Sequence, residues 1–315
     1  MSSSSSQFLK IKMSIYFFFW ALTSSAFGDI EPARLEAVEA DLRARIDERK
    51  LSGAVLMIAQ GGELQMHKAL GYQDVEEQIP MKNDTIFRIF SMTKPVTGTA
   101  LMILHDEGKF SLDDPLEKYL PELSNLRVAT SAYDDGTWET EPADHPLTIR
   151  ELMSHTGGFT YFPPIGNGPI AQAYLRAGIA GDATLAESIP RLRDIPLDYQ
   201  PGKKWVYSIS VDIQGYLIEK LSGQTLDTFF QQRIFDPLEM EDTAFYVPAE
   251  KAHRFSGMYM PINGSLLRTD KLSDFLGGTF LEKPAFLAGG HGLTSTASDY
   301  MKFAQMHLNK GTLNG

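Results

Sequence analysis

Cysteine is absent from the chain, which excludes disulfides, thiolate nucleophiles, cysteine-held metals and lipid-modified cysteines. Positive charge is scarce: 29 Lys and Arg stand against 40 Asp and Glu, for a formal net charge of −11. A surface of that sign repels a phosphate backbone, so nucleic acid is not an expected partner. The G-x-S-x-G elbow of α/β-hydrolases, an H-E-x-x-H zinc helix and a phosphate-binding loop are all missing. The seven histidines are scattered rather than clustered, so neither a metal site nor a cofactor is expected. Beyond residue 28 no apolar run has the length of a membrane-spanning helix.

What is present is an ordinary globular composition. The 315 residues are 43% hydrophobic and 11% aromatic, enough for one large core or two closely joined ones. The N-terminus reads as an export signal. Lys10 and Lys12 precede the apolar residues 15–22, and the small residues Ser24, Ser25, Ala26 and Gly28 follow, fitting cleavage after Gly28. The expected organisation is a signal peptide at 1–28 and one domain at 29–315. The protein is then periplasmic or secreted, with no stable membrane span once the signal is removed. The alternative is an uncleaved membrane anchor.

Past the leader, Leu35, Val38, Leu42 and Ile46 recur at helical spacing among charges, which predicts an amphipathic helix over 32–50. Residues 54–59 and 63–70 flank Gly61-Gly62 and predict a tight β-hairpin. A short apolar run at 86–90 leads into a helix expected to reach about 107, where Gly108 stops it. Residues 112–199 are rich in Pro, Gly and Asp and predict loops and short helices; 128–146 reads as a tolerated surface insertion. Helices are expected at 211–221, with Ile213, Leu217, Ile218 and Leu221 forming its core face, at 225–235, and from about 297 to 308. Helix, hairpin, then helices amounts to a mixed α/β plan.

The candidate chemistry lies at Ser91-Met92-Thr93-Lys94, where the 86–90 run turns into helix. A residue three positions on lies on nearly the same helix face, so the Lys94 amine can reach the Ser91 hydroxyl. A helix N-terminus favours the negative charge of a forming alkoxide. Among all lysines of the chain, only Lys94 has a serine three residues before it. The plain alternative is a polar helix cap followed by a solvent-facing lysine. Tyr207, in the Pro201-Gly202-Lys203-Lys204-Trp205-Val206-Tyr207-Ser208 stretch, opens its helical block as Ser91 opens its own. A buried tyrosine with a satisfied hydroxyl is the bland reading of it.

These segments resemble the β-lactamase-related serine hydrolases, the group of class C β-lactamases, D-alanyl-D-alanine peptidases and family VIII carboxylesterases. The resemblance runs from about residue 53 to the end. It rests on Phe90-Ser91-Met92-Thr93-Lys94-Pro95, Leu152-Met153-Ser154-His155-Thr156-Gly157-Gly158, the stretch from Pro201 to Ser208, Ile234-Phe235-Asp236-Pro237-Leu238-Glu239-Met240, and Gly289-Gly290-His291-Gly292-Leu293-Thr294-Ser295-Thr296-Ala297. It implies an antiparallel sheet flanked by helices, with a helical subdomain. Ser91 becomes the acylated nucleophile, Lys94 its proton partner and Tyr207 the second member of the base system. Either a Tyr207 phenolate or a neutral Lys94 takes the serine proton; the sequence leaves both open. His155 and His291 are read as positioning residues.

The chain departs from the family pattern twice. The tyrosine box of the lactamases and peptidases ends in asparagine, whereas Ile209 stands here and cannot hydrogen-bond a substrate amide. That favours an ester substrate and the esterase branch, with Ser210 a candidate substitute for the missing amide. A Lys-Thr-Gly or Trp-x-Gly strand, which supplies an oxyanion-hole amide, does not follow Tyr207. His155-Thr156-Gly157 resembles it in letters but precedes Tyr207. The expectation is a fragment lacking its last strands and terminal helix, weakly active and prone to association when made alone. The expected function is carboxylesterase-like hydrolysis of small esters through a Ser91 acyl-enzyme. The alternatives are a β-lactamase or D-alanyl-D-alanine carboxypeptidase acting on an acyl amide, and a non-catalytic penicillin-binding remnant. The oligomeric state is not set by the sequence.

Overall fold

A computed structural model describes residues 30–179, 181–271 and 278–313. The leader predicted over 1–28 lies outside them. Helix α1 (Pro32–Asp47) begins with proline at its first position, where a missing N–H costs nothing. Its apolar stripe is shallow: Leu35, Leu42 and Ile46 are half-buried and Val38 is exposed. The stripe leans on β2 of the following hairpin, β1 (Gly53–Gln60) and β2 (Glu63–Asp74), which pair antiparallel. The turn falls at Gly61-Gly62, both at positive φ, which only glycine adopts without strain. A short β3 (Ile79–Pro80) completes the order β1-β2-β3.

Within the apolar run at 86–90, Phe87–Arg88 form a short strand, β4. A 3₁₀ turn (Phe90–Met92) then leads into α2 (Thr93–Asp106), and Gly108 at φ 71 closes that helix region. Residues 128–146 are more than an insertion. They form most of a second hairpin, β5 (Arg127–Ala132) with β6 (Trp138–Pro142). Val128 is buried, and the Ala129 N–H donates to the Leu197 carbonyl at 2.9 Å, so the hairpin is stitched to the body. The alternation Trp138-Glu139-Thr140-Glu141 carried that signal.

Three short helices follow: α3 (Ile149–Met153), α4 (Pro169–Arg176) and α5 (Leu185–Ser188). Thr148 and Glu151 form a reciprocal capping box on α3, as Thr184 and Glu187 do on α5. Helix α6 (Ser210–Ser222) lies at the centre of the molecule, with α2, α3, α5 and α7 (Leu226–Phe230) packed around it. The sequence predicted one apolar face for it. Instead every residue from Ser210 to Ile218 is buried, because neighbours surround the helix. Hairpin β7 (Tyr259–Ile262) and β8 (Ser265–Arg268), strand β9 (Thr294–Ser295) and α8 (Ala297–Leu308) follow. Helix α8 packs on β1. Among the described residues no helix is long and apolar enough to cross a membrane.

A short pairing joins two distant parts of the chain. Strands β4 and β9 run antiparallel, Phe87 opposite Ser295 and Arg88 opposite Thr294. The segment leading into Ser91 and the glycine-rich segment ending at Leu293 are thereby held side by side. The Ile89 N–H reinforces this by donating to the Leu293 carbonyl at 3.0 Å.

Candidate active site

Ser91 sits in the 3₁₀ turn just ahead of α2 and is exposed to solvent. The residue before it, Phe90, has φ 42, a left-handed conformation that costs a bulky side chain about 1–2 kcal/mol. Packing holds it there, with the Phe90 ring edge-on to Phe280 at 6.2 Å. The turn aims the Ser91 hydroxyl at Tyr207: Ser91 Oγ and Tyr207 Oη lie 2.6 Å apart. Lys94, one turn along, donates from Nζ to Ser91 Oγ at 3.3 Å and to the Gly290 carbonyl at 2.7 Å. Its Nζ also lies 4.7 Å from the centre of the Tyr207 ring. The three residues picked from the sequence therefore meet at one point.

Each is held from behind. The Tyr207 ring has near-parallel neighbours in His155, at 5.5 Å between ring centres, and Tyr161, at 5.8 Å. His155 is tied to the same segment by its backbone, whose carbonyl accepts from Val206 N–H at 2.9 Å, and by its ring, whose Nδ1 accepts from Ser208 N–H at 3.3 Å. Burial first, then the charge on Lys94, lowers the His155 pKa against an opposing pull from Asp212. Burial, helped by the charge on Asp212, drives Tyr161 far above the usual phenol range, so it stays protonated. Its hydroxyl faces His291 Nδ1 at 3.1 Å.

The sequence reading missed Asp212. It lies in the first turn of α6, 1% exposed, and its Oδ1 accepts from the Gly290 N–H at 3.0 Å. Gly290 thus takes a proton donor on its carbonyl, Lys94, and offers one from its nitrogen to Asp212. A Cβ on Gly290 would meet Asp212 Oδ2 at 3.1 Å and Lys94 Nζ at 3.4 Å, so a side chain there would crowd both charged groups. A buried carboxylate needs hydrogen-bond donors, and the Gly290 N–H supplies one to Asp212. No local pattern singles it out in the sequence, since the same helix also carries Gln214, Glu219 and Lys220.

Helix α2 also fixes the glycine segment. Thr97 Oγ1 donates to the Gly289 carbonyl at 2.7 Å, and Thr93 Oγ1 accepts from Leu293 N–H at 3.1 Å. Ser210 does not substitute for the family asparagine. It is buried and its hydroxyl is bonded to Ser208 Oγ at 2.7 Å, while Ile209 is 1% exposed in the core.

The chain is similar to known proteins along most of its length. The family described as Beta-lactamase matches residues 38–315. Protein Rv1367c of Mycobacterium tuberculosis is 38% identical over 89% of this chain and 68% of its own length. Esterase EstB of Burkholderia gladioli is 32% identical over 91% of this chain and 75% of its own. Among solved structures, EstCE1, a hydrolase with promiscuous acyltransferase activity, superposes with a TM-score of 0.72 at 26% identity, over 89% of this chain and 73% of that one.

Proposed function

Because the chain belongs to the beta-lactamase family and is a serine hydrolase of that fold, we propose that it cleaves carboxylic esters through an acyl-enzyme on Ser91. The carrying observation is the convergence of Ser91, Tyr207 and Lys94 within hydrogen-bonding reach. Tyr207, acting as the phenolate, takes the serine proton, since its oxygen is nearer than the lysine nitrogen, 2.6 Å against 3.3 Å. Lys94, as an ammonium, offsets the charge of the oxygen that has lost its proton. Ser91 Oγ then attacks the ester carbonyl, and the Ser91 N–H at the start of the helical segment is a candidate donor to the oxyanion. Collapse breaks the carbon–oxygen bond, Tyr207 returns the proton to the departing alkoxide, and the acyl group remains on Ser91. Water enters by the same route in reverse and releases the acid.

Ile209 supports esters over amides, because it leaves no side-chain amide to bond a peptide or lactam nitrogen. The test is hydrolysis of short-chain nitrophenyl esters by the wild type and by Ser91→Ala. The variant should lose at least about 10³-fold in kcat; equal rates would end the assignment. Similarity to EstCE1 favours a second outcome at the same serine, in which an alcohol replaces water and a new ester forms. The basic and apolar leader supports export, which N-terminal sequencing of protein recovered outside the cytoplasm would check.

A further inference from the structure

Trp205 is a large apolar side chain left 63% exposed beside the candidate nucleophile. Its indole centre lies 6.4 Å from the Tyr207 ring and 6.0 Å from the His155 ring, tilted by 42° and 54°. It is not adrift, because the next residue, Val206, is hydrogen-bonded to the His155 carbonyl at 2.9 Å. The flanking lysines are engaged elsewhere: Lys203 Nζ lies 3.7 Å from Asp144, and Lys204 Nζ sits 4.1 Å over the Tyr199 ring. A fixed, solvent-facing indole next to reactive groups offers a flat apolar partner a contact that water does not.

Chemistry says which half of an ester would meet it. The group that protonates the departing oxygen must lie within hydrogen-bonding reach of it, so the alcohol half extends to the Tyr207 side of the carbonyl. The acyl half is the part that stays on Ser91. His155 and Tyr161 lie nearer the Tyr207 ring but are half-buried and buried, so the exposed ring beside it is Trp205. We propose that Trp205 forms a subsite for the alcohol half of the substrate, and that this alcohol carries an aromatic ring or a similarly flat apolar group. The proposal rests on the reading of Ser91 as nucleophile.

The experiment compares benzyl acetate with methyl acetate. Both give the same acetyl-enzyme and release alcohols of similar acidity, so a difference in kcat/KM reports recognition of the alcohol. The wild type should prefer the benzyl ester. Trp205→Ala should lower the benzyl-to-methyl ratio about tenfold, whereas Trp205→Phe should keep most of it. The ratio is internal to each variant, so partial misfolding cancels. A Ser91-dependent hydrolysis whose ratio is unchanged in Trp205→Ala overturns the subsite alone. Hydrolysis that survives Ser91→Ala, or no Ser91-dependent hydrolysis of either ester, overturns the nucleophile reading and the subsite with it.

Discussion

His155 is held beside Tyr207 by its own backbone and ring, and burial, with the charge on Lys94 second, keeps its pKa below the ordinary histidine value. The unfolded chain therefore binds a proton near pH 6.5 that the folded protein resists, and folding stability falls as pH drops below that point. Protonation would also take away the lone pair that accepts from Ser208 N–H. Thermal melts between pH 7.5 and 5.5 should show a declining Tm, and His155→Gln should flatten that slope; an unaltered slope would place the effect at another group. The residue scale is also where the sequence was both most and least informative. Ser91 and Lys94 were legible because three-residue spacing on a helix is local geometry. Asp212 was not, because its partner Gly290 is 78 positions away and no local pattern points to it.

Helices α2 and α6 grip the glycine segment between them. The Gly289 carbonyl accepts from Thr97, and a Cβ on Gly289 would lie 2.7 Å from the Val211 carbonyl oxygen, too close for either backbone to tolerate. Gly289→Ala should push the segment off α6 and cost about 1–3 kcal/mol of stability. It should also lower kcat, since the adjoining Gly290 carbonyl anchors Lys94. Gly98 provides the contrast on α2: nothing lies within 4 Å of its hypothetical Cβ, so Gly98→Ala should gain about 0.5–1 kcal/mol. Denaturant melts of the two variants separate steric crowding from helix propensity. Elements written in short-range code were legible in the sequence, such as the hairpin about Gly61-Gly62 and the helix stopped at Gly108. The burial of α6 on all sides was not, because helices from distant parts of the chain create it.

Across the whole molecule, Arg254 ties segments far apart in sequence. Its guanidinium donates to both Asp242 oxygens, at 2.9 and 2.5 Å, and to the Asp84 carbonyl, while its own carbonyl accepts from Ile86 N–H. The Asp242 N–H in turn donates to Asp299 Oδ2 at 2.7 Å. Burial raises the Asp242 pKa, but bonds from Arg254 and Lys251 outweigh it and the net shift is downward. The stabilisation from this pair is present above the ordinary aspartate pKa of about 4 and is lost as pH falls through the lower folded value. Arg254→Met should cost about 1–3 kcal/mol near neutral pH, by leaving a half-buried carboxylate with Lys251 as its remaining ion-pair partner, and less below about pH 4. Chemical denaturation at the two pH values checks both size and sign. Ser91 and Tyr207 are 116 residues apart, and Lys94 and Gly290 are 196 apart. Contacts so distant form only after long loops have closed. On the proposed reading of the site, a nascent or half-folded chain therefore lacks the hydrolytic machinery, and the cell that makes the protein is spared its chemistry until these segments have met.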